Sequence, residues 1–281
     1  MSRIKKILAV ILLASILFTT PAYSKPSRKK AAYITATSAV AVDLRSNKIL
    51  YARNQNMKLP PASTAKLVTA LVVLDKLRMN KIVRVSSKAA YAQPTKANLT
   101  QGAYYKTQDL LRALLMVSAN DAGIVLAEGV AGSEEEFAKL MNKKARSLGA
   151  KDSNFCNATG LPASGQYSTA HDLSIIVRKA LKNRFIRNTM MQKYGYIRGS
   201  NGKTIYLTNY NEFLHKVKYP KILGKTGYTR NARRCFAGIA YYSNRQIAIV
   251  VMRSTQRSED IKKILSIAQN KKARRKKWSR I

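Results

Sequence analysis

Ser63 and Lys66 stand three residues apart in Pro60-Pro-Ala-Ser-Thr-Ala-Lys-Leu-Val-Thr69, where two prolines give way to an apolar run. A serine hydroxyl becomes a nucleophile when a base takes its proton, and a lysine serves if its amine is neutral and within hydrogen-bond reach. Spacing i, i+3 puts both side chains on one helix face, one turn apart. The prolines restrict the backbone ahead of the helix, so Ser63 is expected at its N-terminus, where free N–H groups and the dipole favour a developing oxyanion. Leu67, Val68, Leu71, Val72 and Leu74 bury the helix and pull the Lys66 amine toward its neutral form. The competing reading is an N-cap serine followed by a snorkelling lysine.

S-x-x-K also occurs at Ser27/Lys30, in a basic linker, and at Ser200/Lys203, in a Gly-containing loop. Neither begins an apolar helix. Two further groups set Ser63 apart. Ser118-Ala-Asn120 ends an apolar helix in the turn before another, and Lys225-Thr-Gly227 lies at the edge of a predicted strand. A serine with its amine, a hydroxyl with an amide, and a strand carrying a cation and a hydroxyl complete an acyl-transfer site. G-x-S-x-G, H-E-x-x-H and a P-loop are absent, and His171 and His215 are the only histidines. A Ser-His-Asp hydrolase or a zinc site needs more. Thr169-Ala-His-Asp172 reads as a helix start, and no metal or cofactor is expected.

Taken in order, S-x-x-K, S-x-N and K-T-G resemble the signature of penicillin-binding enzymes. With "PASTAKLVTALVVLD", "SANDAG", "NATGLP", "YSTAHDL" and "GKTGYT", the stretch from about Ala39 to Ser254 is similar to the low-molecular-mass D-alanyl-D-alanine carboxypeptidases. These are serine peptidases of the penicillin-binding-protein superfamily. The resemblance implies that Ser63 is acylated and that Lys66 is the general base. It implies that Ser118 relays a proton to the leaving amine, that Asn120 holds the substrate amide, and that Lys225 and Thr226 bind the terminal carboxylate. Gly227 would allow close backbone approach, and the N–H groups of Ser63 and Tyr228 would form the oxyanion hole. The implied substrate is a peptidoglycan pentapeptide ending in D-Ala-D-Ala, with β-lactams as covalent inhibitors.

The chain departs from the family pattern in three ways. Ala119 occupies the middle of S-x-N, where β-lactamases carry aspartate. Ala232 is followed by Arg233 and Arg234, extra positive charge expected to reshape substrate preference. The chain also ends soon after the catalytic domain, a layout similar to the shorter DD-endopeptidases, which cut cross-links instead of terminal D-alanine. Between Lys151 and Asp172 the only acids are Asp152 and Asp172, so the glutamate that activates the deacylating water in class A β-lactamases is not expected. β-Lactams should therefore trap Ser63 as a slow acyl-enzyme. The alternatives are a DD-endopeptidase and, in a different class, a basic exported protein that binds wall or lipid.

These groups need a scaffold. "AVAVDLRSNKILYAR" (Ala39 to Arg53) reads as two short strands around a turn at Arg45-Ser-Asn-Lys48. Helical spacing predicts helices over Ala65 to Leu77, Leu110 to Val117, Ile124 to Val130, Phe137 to Leu148 and Ala170 to Leu181. Strands return at Lys221 to Thr229, Arg234 to Tyr242 and Gln246 to Ser254, with Ser243-Asn-Arg245 as a tight turn. A last helix is expected from Ser258, as N-cap, to about Asn270. Strands at both ends joined by hairpins predict an α+β fold of the DD-peptidase/β-lactamase-like kind. One antiparallel sheet is built from both chain ends, with helices packed on it and a mainly helical middle subdomain.

Composition sets the compartment. The 281 residues carry 52 Lys+Arg against 13 Asp+Glu, a net charge of +39, which calls for an anionic partner. Arg3, Lys5 and Lys6, the apolar run Ile7 to Phe18, and Ala22 and Ser24 read as a signal peptide over residues 1–24, cleaved after Ser24 or Ala22; an uncleaved anchor is the competing reading. Export to the periplasm or the outer face of the cytoplasmic membrane removes nucleic acid as a partner. The expected layout is the leader, a basic linker and N-terminal segment over 25–38, the catalytic domain over 39–270 with its helical part at about 64–182, and a basic tail over 271–281. Seven of the tail's eleven residues are Lys or Arg, and it reads either as a solvated end or as a contact for anionic lipid or wall polymer. Cys156 and Cys235 leave a disulfide open.

Overall fold

A computed structural model describes residues 33–216, 220–242 and 245–278. The leader, most of the linker and the end of the tail lie outside the described residues. The chain opens with β1 (Ser38–Asp43) and β2 (Ile49–Arg53), paired antiparallel as the turn signal predicts. Asp43 shapes the turn by accepting from Arg45 N and Ser46 N at 3.0 and 2.9 Å. A 3-10 turn (Ala62–Ala65) feeds α1 (Lys66–Lys76). There follow β3 (Ile82–Arg84), α2 (Ser87–Ala90), β4 (Tyr104–Lys106), α3 (Thr107–Met116), α4 (Asn120–Ala131), α5 (Glu134–Ser147), α6 (Ala170–Ala180) and α7 (Arg184–Met191). A hairpin of β5 (Tyr194–Arg198) and β6 (Thr204–Thr208) precedes α8 (Phe213–Lys216). The chain then returns to the sheet with β7 (Lys221–Thr229), β8 (Arg233–Tyr242) and β9 (Arg245–Ser254), and closes with α9 (Arg257–Trp278).

The sheet has the order β2-β1-β9-β8-β7 and every pairing in it is antiparallel. Both chain ends build it, because β1 lies along β9 from Ser38↔Met252 to Asp43↔Ile247. Period-two alternation splits its side chains between two cores. Ala39, Ala41, Ile247, Ile249 and Val251 pack with Ile261, Ile264 and Leu265 of α9. Val40, Ala248, Val250, Met252, Ala237 and Ile239 face the helical middle. Lys225 follows Leu223 by two positions on β7, so it shares the face turned toward the helices. α1 is buried on every side from Lys66 to Val73, which suits a central helix of a large core.

Several expectations need adjustment. The compact unit that holds the described elements begins at Ile34, ahead of β1. Ile34 and Ala36 are buried, and Asp260 accepts from Thr35 N, Thr35 Oγ1 and Ala36 N at 2.7–2.8 Å. Ser258 does not cap α9: the helix begins at Arg257, and the Ser258 hydroxyl donates to Glu212 Oε1 at 2.5 Å. The helix also runs past Asn270 to Trp278. Cys156 and Cys235 are both free thiols. Burial pushes the Cys235 thiol up to about 11. Of the turn between β8 and β9, Ser243 and Asn244 lie outside the described residues; pairing extends to Tyr242↔Arg245.

Candidate active site

Ser63 occupies the 3-10 turn just ahead of α1, and Thr64 holds that turn by donating its hydroxyl to the Pro61 carbonyl at 2.6 Å. One turn on, Lys66 Nζ stands 3.0 Å from Ser63 Oγ. The lysine is fully buried, and its other two contacts are Asn120 Oδ1 and the Thr159 carbonyl, both at 2.6 Å. Burial, and then the charge of Lys225, hold the Lys66 amine well below its ordinary 10.5, against the opposing pull of Asp121 and Glu134. A carbonyl and an amide oxygen only accept hydrogen bonds. A neutral amine meets both with its two N–H groups and keeps its lone pair for the Ser63 hydroxyl.

Two loops aim those acceptors. Asn120 begins α4, and its Nδ2 donates to Gln93 O at 2.9 Å, which fixes the amide with Oδ1 toward Lys66. The segment over Ser118 turns sharply, with Ser118 itself at φ 63 and 5% exposed. Asp121, fully buried, ties the neighbouring segment down by accepting from Ala97 N and Leu99 N at 3.0 and 3.1 Å. On the other side, Asn157 Oδ1 accepts from Thr159 N, Thr159 Oγ1 and Gly160 N at 2.8–3.2 Å and so presents the Thr159 carbonyl.

β7 forms the far wall. A Cβ on Gly227 would stand 3.0 Å from Ser63 N, so the strand backbone passes against the serine turn as closely as the K-T-G reading requires. Ser63, Ser118, Asn120, Thr226, Gly227 and Tyr228 line one cavity of about 290 Å³, together with Pro94, Thr95, Gly160, Leu161, Tyr210, Thr229 and Arg257. Lys66 lies beneath it.

Lys225 does not line that cavity. It is 1% exposed, and its Nζ donates to the Thr226 carbonyl at 3.0 Å. Burial, then the charge of Arg257, lower its amine to about 7. The cation on the cavity wall is Arg257, the first residue of α9, whose Nη2 donates to Glu212 Oε1 at 2.8 Å. Sequence reasoning missed Arg257, Glu212 and the Thr159 carbonyl. Arg257 stood in plain view before Ser-Glu-Asp, which marked the helix start, but nothing local distinguishes it among so many arginines. Arg233 and Arg234 are exposed and outside the cavity lining. His171 is half-exposed beside Asp172 at the start of α6, and Ser200 and Lys203 are exposed at the β5–β6 turn.

An antiparallel sheet closed by both chain ends, a buried helical middle, and a serine–lysine pair at their junction define a serine peptidase of the penicillin-binding type. Residues 25–256 match the family model described as D-alanyl-D-alanine carboxypeptidase, and the chain belongs to that family. It is 35% identical over 277 residues to the D-alanyl-D-alanine carboxypeptidase DacF of Bacillus subtilis, covering 94% of this chain and 71% of that one. It is 31% identical over 222 residues to the D-alanyl-D-alanine endopeptidase of Escherichia coli, covering 78% and 71%. The crystal structure of D-alanyl-D-alanine carboxypeptidase from Mycobacterium tuberculosis superposes with a TM-score of 0.78 at 31% identity, covering 90% and 96% of the two chains. The chain is thus a serine-type carboxypeptidase of a cell-wall family whose members act on D-Ala-D-Ala peptides and bind β-lactams.

Proposed function

We propose that the chain removes the terminal D-alanine of peptidoglycan stem peptides through an acyl-enzyme on Ser63. The observation that carries this is the Lys66 amine, buried and lowered, with two acceptor-only partners at 2.6 Å and the serine hydroxyl at 3.0 Å. Lys66 takes the Ser63 proton as Oγ attacks the carbonyl of the penultimate D-alanine. The N–H groups of Ser63 and Tyr228 receive the oxyanion, worth about 3 kcal/mol per donor in comparable sites. Ser118 passes a proton to the leaving amine, which departs as D-alanine, and water then releases the shortened peptide. Asn120 holds the substrate amide. Arg257 and Thr226 bind the terminal carboxylate at the cavity wall, and Lys225 adds positive potential from below.

The endopeptidase relative, matched over 78% of this chain, supports a second reading in which the scissile bond is a cross-link. Digestion of purified muropeptides followed by mass spectrometry separates the two. Pentapeptides shortened by one alanine mark a carboxypeptidase, and cross-linked dimers turned to monomers mark an endopeptidase. Residues 1–24 act in this reading as the export signal, and the basic tail as a contact for anionic lipid or wall polymer.

A further inference from the structure

Eight of the twelve exposed large apolar side chains among the described residues are tyrosines, so most of them carry an aromatic body with a polar tip. Three of them share the β5–β6 hairpin. Tyr194 and Tyr196 are two positions apart on β5, and Tyr206 lies directly across from Tyr196. All three therefore project from one face of the ribbon, and they are 68%, 59% and 83% exposed. The opposite face holds the hairpin to the protein: Ile197 and Leu207 are each 1% exposed, and a Cβ on Gly195 would stand 3.3 Å from Met116 Cε of α3.

The face leads to the catalytic cavity. β6 runs from Tyr206 toward Tyr210, which lines that cavity and is fixed beside the Ser118 turn by donating its N–H to Met116 O at 2.9 Å. Four residues of extended chain span at most about 14 Å, so Tyr206 lies within that distance of the cavity wall. A stem peptide has the same reach. Four residues separate its scissile bond from the sugar that carries it, about 14 Å at ordinary extended spacing.

We infer that the Tyr194–Tyr196–Tyr206 face binds the N-acetylated sugar rings of the wall glycan while the attached stem peptide occupies the Ser63 cavity. Flat aromatic faces suit the C–H faces of hexose rings, whose positively polarised hydrogens meet the negative π cloud, and the phenol hydroxyls stay wet beside sugar hydroxyls. Around the tyrosines stand Arg198, Thr204 and Thr208, polar groups with no aliphatic wedge to enter a bilayer. This inference rests on the stem-peptide reading above and extends it to the polymer.

The test uses the full chain and chitohexaose, a neutral N-acetylglucosamine oligomer that the protein's net charge cannot attract. Calorimetry at 0.15 and 0.5 M salt should give the same affinity in both, and Tyr196→Thr/Tyr206→Thr, which keeps β-forming residues in the hairpin, should weaken it about tenfold or more. The same variant should cleave a sugar-free D-Ala-D-Ala peptide at the wild-type rate, label with penicillin normally, and lose about tenfold in kcat/KM on muropeptides. Equal chitohexaose affinity in wild type and variant, or none in either, overturns the inference. So does loss of binding to phosphatidylglycerol vesicles instead of sugar, which would make the face a membrane contact. Failure to cleave the sugar-free peptide would sink the peptidase reading alone, since sugar binding is read without turnover.

Discussion

Lys66 Nζ and Ser63 Oγ are 3.0 Å apart across one helical turn, and Oγ is the sole partner of that amine able to donate a hydrogen bond back. Removing the amine while keeping the volume tests the arrangement. Lys66→Gln should slow acylation by labelled penicillin and D-alanine release by about 10²–10⁴-fold, the usual worth of a positioned base. Lys66→Arg should do no better, because a guanidinium stays charged. Ser63→Ala should give no adduct at all. Acylation of Lys66→Gln within tenfold of wild type would remove Lys66 from the base role.

Activity should depend on pH through both buried lysines. Burial holds the Lys66 amine well below 10.5, so if Lys66 is the base, kcat/KM should rise as pH increases through its titration. Lys225 titrates at about 7, so if its charge supports carboxylate binding from below the cavity, a falling limb is expected from near neutrality upward. Lys225→Gln should lower kcat/KM and erase that falling limb. A profile unchanged in shape would show that Lys225 does not set it.

Stability should carry the same signature. The unfolded chain binds more protons than the folded one between about 7, where Lys225 titrates when buried, and its ordinary 10.5. Stability from this group therefore rises with pH across that window, and its burial costs most below 7. Lys225→Met removes the titration. The difference in unfolding free energy between variant and wild type should be greatest at pH 6 and shrink toward pH 10, as urea titrations at several pH values would read. A pH-independent difference would contradict the buried-lysine account.

Arg257 is the cation that lines the cavity, held by Glu212 at 2.8 Å. If it binds the terminal carboxylate, Arg257→Gln should raise KM for a D-Ala-D-Ala peptide by about 10–100-fold, the range for a charge-assisted hydrogen bond, with a smaller effect on kcat. An amidated peptide lacking the carboxylate should be cleaved equally by both forms. A loss shared by both peptides would instead point to a structural role.

The sequence made the sheet and the three chemical groups readable for local reasons. Runs of β-branched and aromatic residues mark strands, so β7 appears as Lys221–Thr229 just as that run suggests, and α1 announces itself by apolar spacing. What it hid depends on contacts between distant segments. The Thr159 carbonyl reaches Lys66 across 93 residues of chain, and Arg257 meets Glu212 across 45. A backbone oxygen has no side-chain signature. Burial of Lys225 away from the cavity, with its amine on the Thr226 carbonyl, likewise follows from the depth of β7 in the packed body, which strand pattern alone does not give. The short elements α2, α8, β3 and β4, three or four residues each, are below the length at which periodicity is visible.

Gly160 offers a test of how tightly the Thr159 carbonyl is placed. It has φ 78, and a Cβ there would stand 2.0 Å from the Ala62 carbonyl, inside the turn that carries Ser63. Backbone cannot yield as a side-chain tip can, so Gly160→Ala must push the 157–161 loop off the serine turn. Gly132 is the matched control. It also has φ 78 but nothing within 4 Å of its added Cβ, so Gly132→Ala costs only the left-handed backbone preference, about 1–2 kcal/mol. Gly160→Ala should cost at least about 2 kcal/mol more, since overpacking adds to the same backbone cost. It should also slow penicillin acylation, because the carbonyl that orients Lys66 moves with the loop. Equal losses of stability in the two variants, with acylation intact in both, would mean that the loop and the serine turn are not in register as described.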